Sequence, residues 1–363
     1  FLSHRLPLAQ AARDRGARVT VVAGDNGRSE EIESHGLSFI PLPLERTGTN
    51  PLRDLRSLGF LWKTYRRVEP DLVHHVTLKP IIYGSLAARL ASVPNVVNAV
   101  SGMGYVFTEA REGFWLRRLV TFFLRIAVQD DDSVLIAQNG EDLAFFVERG
   151  WIPRERAVLI KGSGVDCDEF RYREQPSSPP VVIMLASRML WDKGIGEFVE
   201  AARRIKESRG SDVRFVLVGP VDEENPAGVS EAELVTWEEN DVLAWWGAVG
   251  AEDMPETLAR AHVVCLPSYR EGLPKVLLEA AATGRAIVTT DVPGCREVVE
   301  DGVSGLLVPA RNGQQLAVAL ERLIRNPELR EKMGRKGRER VVEEFSLDHV
   351  VDRTCALYEN LLG

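Results

Sequence analysis

The sequence predicts an α/β protein built from two doubly wound parallel sheets. Three observations predict it. Short β-branched runs alternate with helical patterns along the whole chain, as in parallel-sheet proteins. The runs are continuously apolar rather than alternating, as strands buried on both faces are. A proline-rich break, Gln175-Pro176-Ser177-Ser178-Pro179-Pro180, cannot continue a helix and divides the series into two.

The chain opens in a helical pattern with Leu6, Leu8, Ala9 and Ala12, and Ser3 is expected as its N-cap. A strand normally precedes such a helix in a βα unit, so the first strand of this half is expected to be missing by truncation. Strands are expected at 18–23, 37–42, 71–76, 95–100, 133–138 and 157–161. After the break the series restarts with 181–186, 213–218, 241–246, 262–267, 286–290 and 305–308. Helices fill the gaps, for example 194–208, 274–283 and 313–325. The reading is two Rossmann-like domains, 1–172 and 181–345, joined by a linker at 173–180, with a cleft between them. A final helix at 346–363 has no assigned partner. In open α/β sheets, ligands bind beyond the carboxyl ends of the strands, so those loops hold the functional candidates.

Composition narrows the class. The 363 residues are 45% hydrophobic and 27% charged, which excludes wholesale disorder. A net charge of −8 disfavours general nucleic-acid binding. Residues 1–170 carry 21 basic and 21 acidic side chains, whereas 171–363 carry 24 and 32. The excess acid therefore lies in the second half. Cys167, Cys265, Cys295 and Cys355 are widely spaced with no CxxC pair, so a zinc knuckle or disulfide framework is not indicated. No apolar run is long enough to span a bilayer.

Two loops carry chemistry. Ser187-Arg188-Met189-Leu190-Trp191-Asp192-Lys193-Gly194 follows the first strand of the second half. It offers a forked guanidinium and a point-charge ammonium to a diphosphate. Ser268-Tyr269-Arg270-Glu271-Gly272-Leu273-Pro274-Lys275 leads into a helix that contains Glu279. Pro274 suits a first helical position, and the free N–H groups there favour an anion. Glu271 and Glu279 beside an anion site suggest a polyhydroxyl ligand carrying phosphate, namely a nucleotide sugar. Asp130-Asp131-Asp132 is read as a solvated turn rather than a metal motif.

On these residues the sequence resembles the retaining glycosyltransferases of family 4, which have the GT-B fold. The resemblance rests on Glu271 to Glu279 within EGLPKVLLE, on Ser187-Arg188 with Lys193-Gly194, and on Gly164-Val165-Asp166 followed by Phe170. It implies a UDP-sugar donor in the second domain and an acceptor in the first, with no cofactor and no metal. Arg188 and Lys193 would neutralise the leaving diphosphate. Glu271 would bind sugar hydroxyls and Glu279 the ribose. Backbone at Gly272, Leu273 and Pro274, with Lys275, would contact phosphate or sugar. The uracil would lie near Trp246 to Val249.

Segments 3–9, 71–91, 98–108 and 219–230 look like the bacterial subgroup that adds an N-acetylhexosamine to a polyprenyl-diphosphate-linked saccharide. Where many family members carry a histidine, this chain has Ser101-Gly102-Met103-Gly104. Ser101, Gly102 and Gly104 are therefore candidates on the acceptor or donor-sugar side, with His4, His75 and Lys79. Residues 52–67 hold five cations and one anion, and 111–125 hold four and one, among aromatic and aliphatic residues. Such stretches suit an anionic membrane surface, here the inner face of the cytoplasmic membrane. The alternatives are a UDP-sugar 2-epimerase of the same architecture and a non-catalytic UDP-sugar-binding protein. A nicotinamide dehydrogenase is disfavoured because no GxGxxG follows a strand.

Overall fold

Each apolar run becomes a parallel strand in the computed structural model. It describes all residues except 26, 44–50, 103–113, 130–131, 178 and 223–224, and leaves undescribed the side chains of residues 3, 51–54 and 114–117. The chain forms two units, Phe1–Ser163 with Asp348–Gly363, and Gly164–Leu347.

The first unit runs α1 (Leu2–Asp14), β1 (Thr20–Ala23), α2 (Ser29–Ser34), β2 (Ser38–Pro41), α3 (Pro51–Val68), β3 (Val73–Val76), α4 (Leu78–Ala91), β4 (Val96–Val100), α5 (Phe114–Val128), β5 (Ser133–Ala137), α6 (Gly140–Glu148) and β6 (Ala157–Leu159). Strands β3-β4-β5-β6 form one parallel sheet and β1-β2 a second. The first helix starts at Leu2 with Phe1 as its N-cap, so Ser3 lies inside it rather than capping it.

The second unit runs β7 (Val181–Ala186), α7 (Ile195–Arg209), β8 (Val213–Val218), α8 (Glu231–Glu239), β9 (Ala244–Trp245), α9 (Met254–Ala259), β10 (Val263–Leu266), α10 (Lys275–Ala282), β11 (Ala286–Thr290), α11 (Pro293–Val298), β12 (Gly305–Val308), α12 (Gly313–Arg325) and α13 (Pro327–Glu344). Its six strands are parallel in the order β12-β11-β10-β7-β8-β9. Alternate side chains of one strand enter opposite cores, as the two-residue period requires. Ile183 and Leu185 join one cluster with Phe198 and Phe215, while Met184 and Ala186 join the other with Leu277 and Phe345.

Two boundaries differ from the expected ones. The first unit closes at Ser163, earlier than residue 172, and the proline-rich stretch belongs to the second unit. There the buried His262 accepts from the Val182 amide at Nδ1 (3.0 Å) and donates from Nε2 to the Pro176 carbonyl (3.1 Å). Arg330 Nε donates to Gln175 Oε1 at 3.2 Å. These bonds fasten to the fold a segment that composition alone reads as a tether. The last helix, α14 (Leu347–Leu362), packs in the first unit, where Tyr358 and Leu361 cover Val97, Ala99 and Ile136 of β4 and β5. Entry and exit of the second unit are paired: Val165 donates to the Phe345 carbonyl (3.0 Å) and accepts from the Leu347 amide (2.9 Å).

His75 is a buried core residue. Its Nδ1 donates to Asn98 Oδ1 (2.9 Å), and its Nε2 accepts from the Tyr65 hydroxyl (3.0 Å). Its ring occupies space left by Gly84 of α4, where an added Cβ would stand 2.4 Å away. Burial pushes the pKa of His75 and of His262 down to about 4, against an unfolded value of about 6.5. Below that unfolded value the unfolded chain binds more protons than the native one. The contribution of these two histidines to stability is therefore expected to be constant above pH 6.5 and to fall as the pH drops from 6.5 towards 4. Denaturant midpoints across this range test it, and His262→Asn should flatten the slope.

Candidate active site

The strand order points to a candidate site before any side chain is considered. From β7 the chain steps to β8 and β9, then crosses back to β10, β11 and β12. The switch point lies between β7 and β10, where the loops beyond two adjacent carboxyl ends part and leave a crevice. The two loops there are 187–194 and 267–274, the same two that sequence singled out.

They are joined by an ion pair. Lys193 Nζ lies 2.7 Å from Glu271 Oε1, with the two side chains 21% and 12% exposed. The Lys193 loop can approach because the next residue is glycine. Gly194 caps α7 at φ +76°, and an added Cβ would stand 2.1 Å from the Pro267 carbonyl oxygen. Tyr269 ties the loops a second time. Its amide donates to the Asp192 carbonyl (2.9 Å), and its hydroxyl donates to both carboxylate oxygens of Glu197 (2.9 and 3.0 Å). The Arg311 guanidinium covers the ring at 4.6 Å. Burial, then the bond to Glu197, pushes the Tyr269 phenol up to about 12.

The second glutamate lies deeper. Glu279 is buried in α10 with its Oε1 3.4 Å from Lys275 Nζ. Burial raises its pKa, and the ammonium of Lys275 opposes that rise. Helix α10 begins at Lys275 with Pro274 as its N-cap, one position after the expected start. Gly272 and Leu273 stand half-buried between Glu271 and that helix.

Arg188 sits on the same loop as Lys193. Its Nη1 lies 2.8 Å from Asp222 Oδ2, and both side chains are partly exposed. Trp246 and Val249 follow β9 and pack against the second core cluster. The Trp246 ring faces the Arg260 guanidinium at 3.9 Å.

Of the first-unit candidates, His4 is exposed on α1, while Lys79 is half-buried in the first turn of α4. Ser101 and Gly102 are half-buried directly after β4, and Gly104 lies outside the described residues. His75 does not line a surface, because the core takes both its ring nitrogens. The strand residue facing the other way, His74, bonds Tyr358 of α14 through Nδ1, and its buried Nε2 has no partner. Of the Asp130–Asp132 turn, Asp130 and Asp131 lie outside the described residues, and Asp132 is exposed. Among the described residues no three His, Cys, Asp or Glu side chains cluster to hold a metal ion.

Residues 167–340 match the family "Glycosyl transferases group 1", and residues 2–135 match "Glycosyl transferase 4-like". The chain belongs to the GT-B glycosyltransferases. One relative of this glycosyltransferase is the N,N'-diacetylbacillosaminyl-diphospho-undecaprenol alpha-1,3-N-acetylgalactosaminyltransferase of Campylobacter jejuni. It is 26% identical over 386 residues, covering 100% of this chain and 98% of the relative. Another is the UDP-Gal:alpha-D-GlcNAc-diphosphoundecaprenol alpha-1,3-galactosyltransferase of Escherichia coli, 26% identical over 86% of this chain and 81% of its own. In fold the glycosyltransferase is similar to Anabaena HepE solved in complex with UDP, with a TM-score of 0.78 and 19% identity, covering 98% and 96% of the two chains.

Sequence reasoning did not pick out Asp222, Glu197, Tyr269 or Arg311 as site residues. Asp222 had a signal, since it lies in the segment 219–230 that marks the subgroup. Glu197 and Arg311 had none, because a charged residue beside a helix start reads as solvated surface.

Proposed function

We propose that this glycosyltransferase moves a sugar, an N-acetylhexosamine, from a UDP-sugar to a polyprenyl-diphosphate-linked saccharide with retention at the anomeric carbon. The Lys193–Glu271 pair at the switch point, with Arg188 on the same loop, carries the reading. The names of the Campylobacter and Escherichia relatives support the lipid-linked acceptor. When the anomeric C–O bond breaks, negative charge develops on the diphosphate, and preorganised cations stabilise it. Lys193 and Arg188 supply those cations, so the charge needs no metal ion. Glu271 and Glu279 accept hydrogen bonds from the donor's sugar and ribose hydroxyls. The acceptor hydroxyl attacks from the face the diphosphate leaves, and its proton passes to a departing phosphate oxygen. One C–O bond breaks, one forms, and the products are the extended saccharide and UDP.

The acceptor side belongs to the first unit in this reading. On α3, Leu55 and Trp62 are exposed beside Arg56, Lys63, Arg66 and Arg67. On α5, Leu119, Phe122 and Phe123 are exposed beside Arg118 and Arg125. Basic helices with exposed apolar side chains bind anionic bilayer surfaces, which supports a peripheral position where a polyprenyl acceptor resides. Among the described residues no helix is long and apolar enough to cross a membrane.

One experiment tests the reading. Purified protein is given a panel of UDP-sugars in EDTA, with membrane lipid extract as acceptor in anionic or zwitterionic vesicles, and products are identified by mass spectrometry. The expected result is one extended lipid-linked saccharide, formed faster on anionic vesicles. A strict metal requirement, or conversion of the UDP-sugar without acceptor, would contradict it.

A further inference from the structure

Three cations of the donor site are already paired. Lys193 is held by Glu271 and Lys275 by Glu279, both carboxylates with a role of their own toward the donor's hydroxyls. Arg188 is held by Asp222, which has no such role. Asp222 comes from the loop after β8, the neighbour of β7 on the far side from β10.

The described residues of that loop are tied down. Its first residue, Gly219, adopts φ +139°, and an added Cβ would stand 1.8 Å from the Ser187 carbonyl oxygen. The two loops then zip together through backbone bonds. The Met189 amide donates to the Pro220 carbonyl (2.9 Å), Trp191 to Ala227 (2.8 Å), and Val229 to Met189 (2.9 Å). The Asn225 amide closes back on the Asp222 carbonyl (3.1 Å). The Asp222 carboxylate is thereby fixed 2.8 Å from Arg188, on backbone locked to the arginine's own loop.

We propose that Asp222 is a positioning residue that holds Arg188 in the donor-free enzyme and yields it to the donor's diphosphate. The inference rests on the assignment of Arg188 to that diphosphate. The contact with Asp222 occupies Nη1, so a diphosphate that takes a fork containing Nη1 competes with Asp222 for that donor. Asp222 then competes with the incoming anion for the guanidinium. A dianionic diphosphate outcompetes one carboxylate where a weaker anion does not, so the pair selects for the charged leaving group. An exposed ion pair is worth about 0.2–1 kcal/mol, which sets the competition at up to about fivefold in affinity.

The test is a double-mutant cycle on UDP binding, read by titration calorimetry, with donor KM and kcat measured beside it. Asp222→Asn is expected to bind UDP about two- to fivefold more tightly than wild type, with a lower donor KM. In an Arg188→Ala background the same change should leave UDP affinity unaltered. Asp222→Ser is a second carboxylate-free variant and must move affinity in the same direction. Unchanged or weaker UDP binding by both variants, with wild type still binding, overturns the proposal while sparing the donor assignment. Equal tightening in the Arg188→Ala background also overturns it. A wild-type protein that binds no UDP overturns both.

Discussion

Lys193→Ala and Glu271→Gln are each expected to lower turnover by a factor on the order of 10²–10³ while the protein stays folded. The pair spans 2.7 Å and is largely shielded from solvent. Lys193 is asked to stabilise charge that appears only as the anomeric bond breaks, so its loss should fall on kcat more than on donor KM. Glu271→Gln keeps the volume and one hydrogen-bond acceptor but discards the negative charge that balances Lys193. In Lys193→Ala the carboxylate is left uncompensated in a half-buried place, which adds a modest cost in stability. Initial rates at saturating donor, with thermal melts as the folding control, decide the matter. Wild-type turnover in either variant would remove the assignment of this site.

Arg285→Met is expected to destabilise the second unit by about 3–5 kcal/mol, because it strips partners from buried carbonyls. The side chain is 0% exposed. It donates to the carbonyls of Ala261 (3.0 Å), Glu174 (3.1 Å), Thr283 (3.1 Å) and Arg173, and more weakly to Ala259 (3.4 Å). Among the described residues no carboxylate pairs with it, so backbone dipoles alone solvate its charge. Burial lowers its pKa to about 10, which leaves it ionised at neutral pH. Methionine fills similar space but donates nothing. Urea denaturation gives the free energy, and a loss below about 1 kcal/mol would mean that water replaces the guanidinium.

Much of the fold was legible in the residue pattern, because strands buried on both faces need unbroken apolar runs. Among the described residues, each of the twelve strands falls inside a run read from the sequence, down to the short β9 at Ala244–Trp245. The two loops at the switch point were legible as candidates too, since lysine is scarce in this chain and Lys193 and Lys275 each lie at or just before a helix start. What stayed hidden depends on contacts distant in sequence. The Pro176–Pro180 stretch looks like a free connector until Arg285, His262 and Arg330 are seen to bind its approach. His75 looks like a surface ligand until Tyr65, Asn98 and the gap at Gly84 are assembled around it. Asp222 reads as a solvated loop residue because its partner lies 34 positions away.

The return of the last helix to the first unit has a practical consequence for protein engineering. The first unit is discontinuous, made of Phe1–Ser163 and Asp348–Gly363. No single cut of the gene can release it whole. A C-terminal truncation before residue 348 would unroof Val97, Ala99 and Ile136 and remove the bond from His74 to Tyr358. A chimera that exchanges specificity must therefore graft Gly164–Leu347 as an insert with two junctions. Those junctions are best placed at Val165 and Ser346, whose backbones already lie side by side.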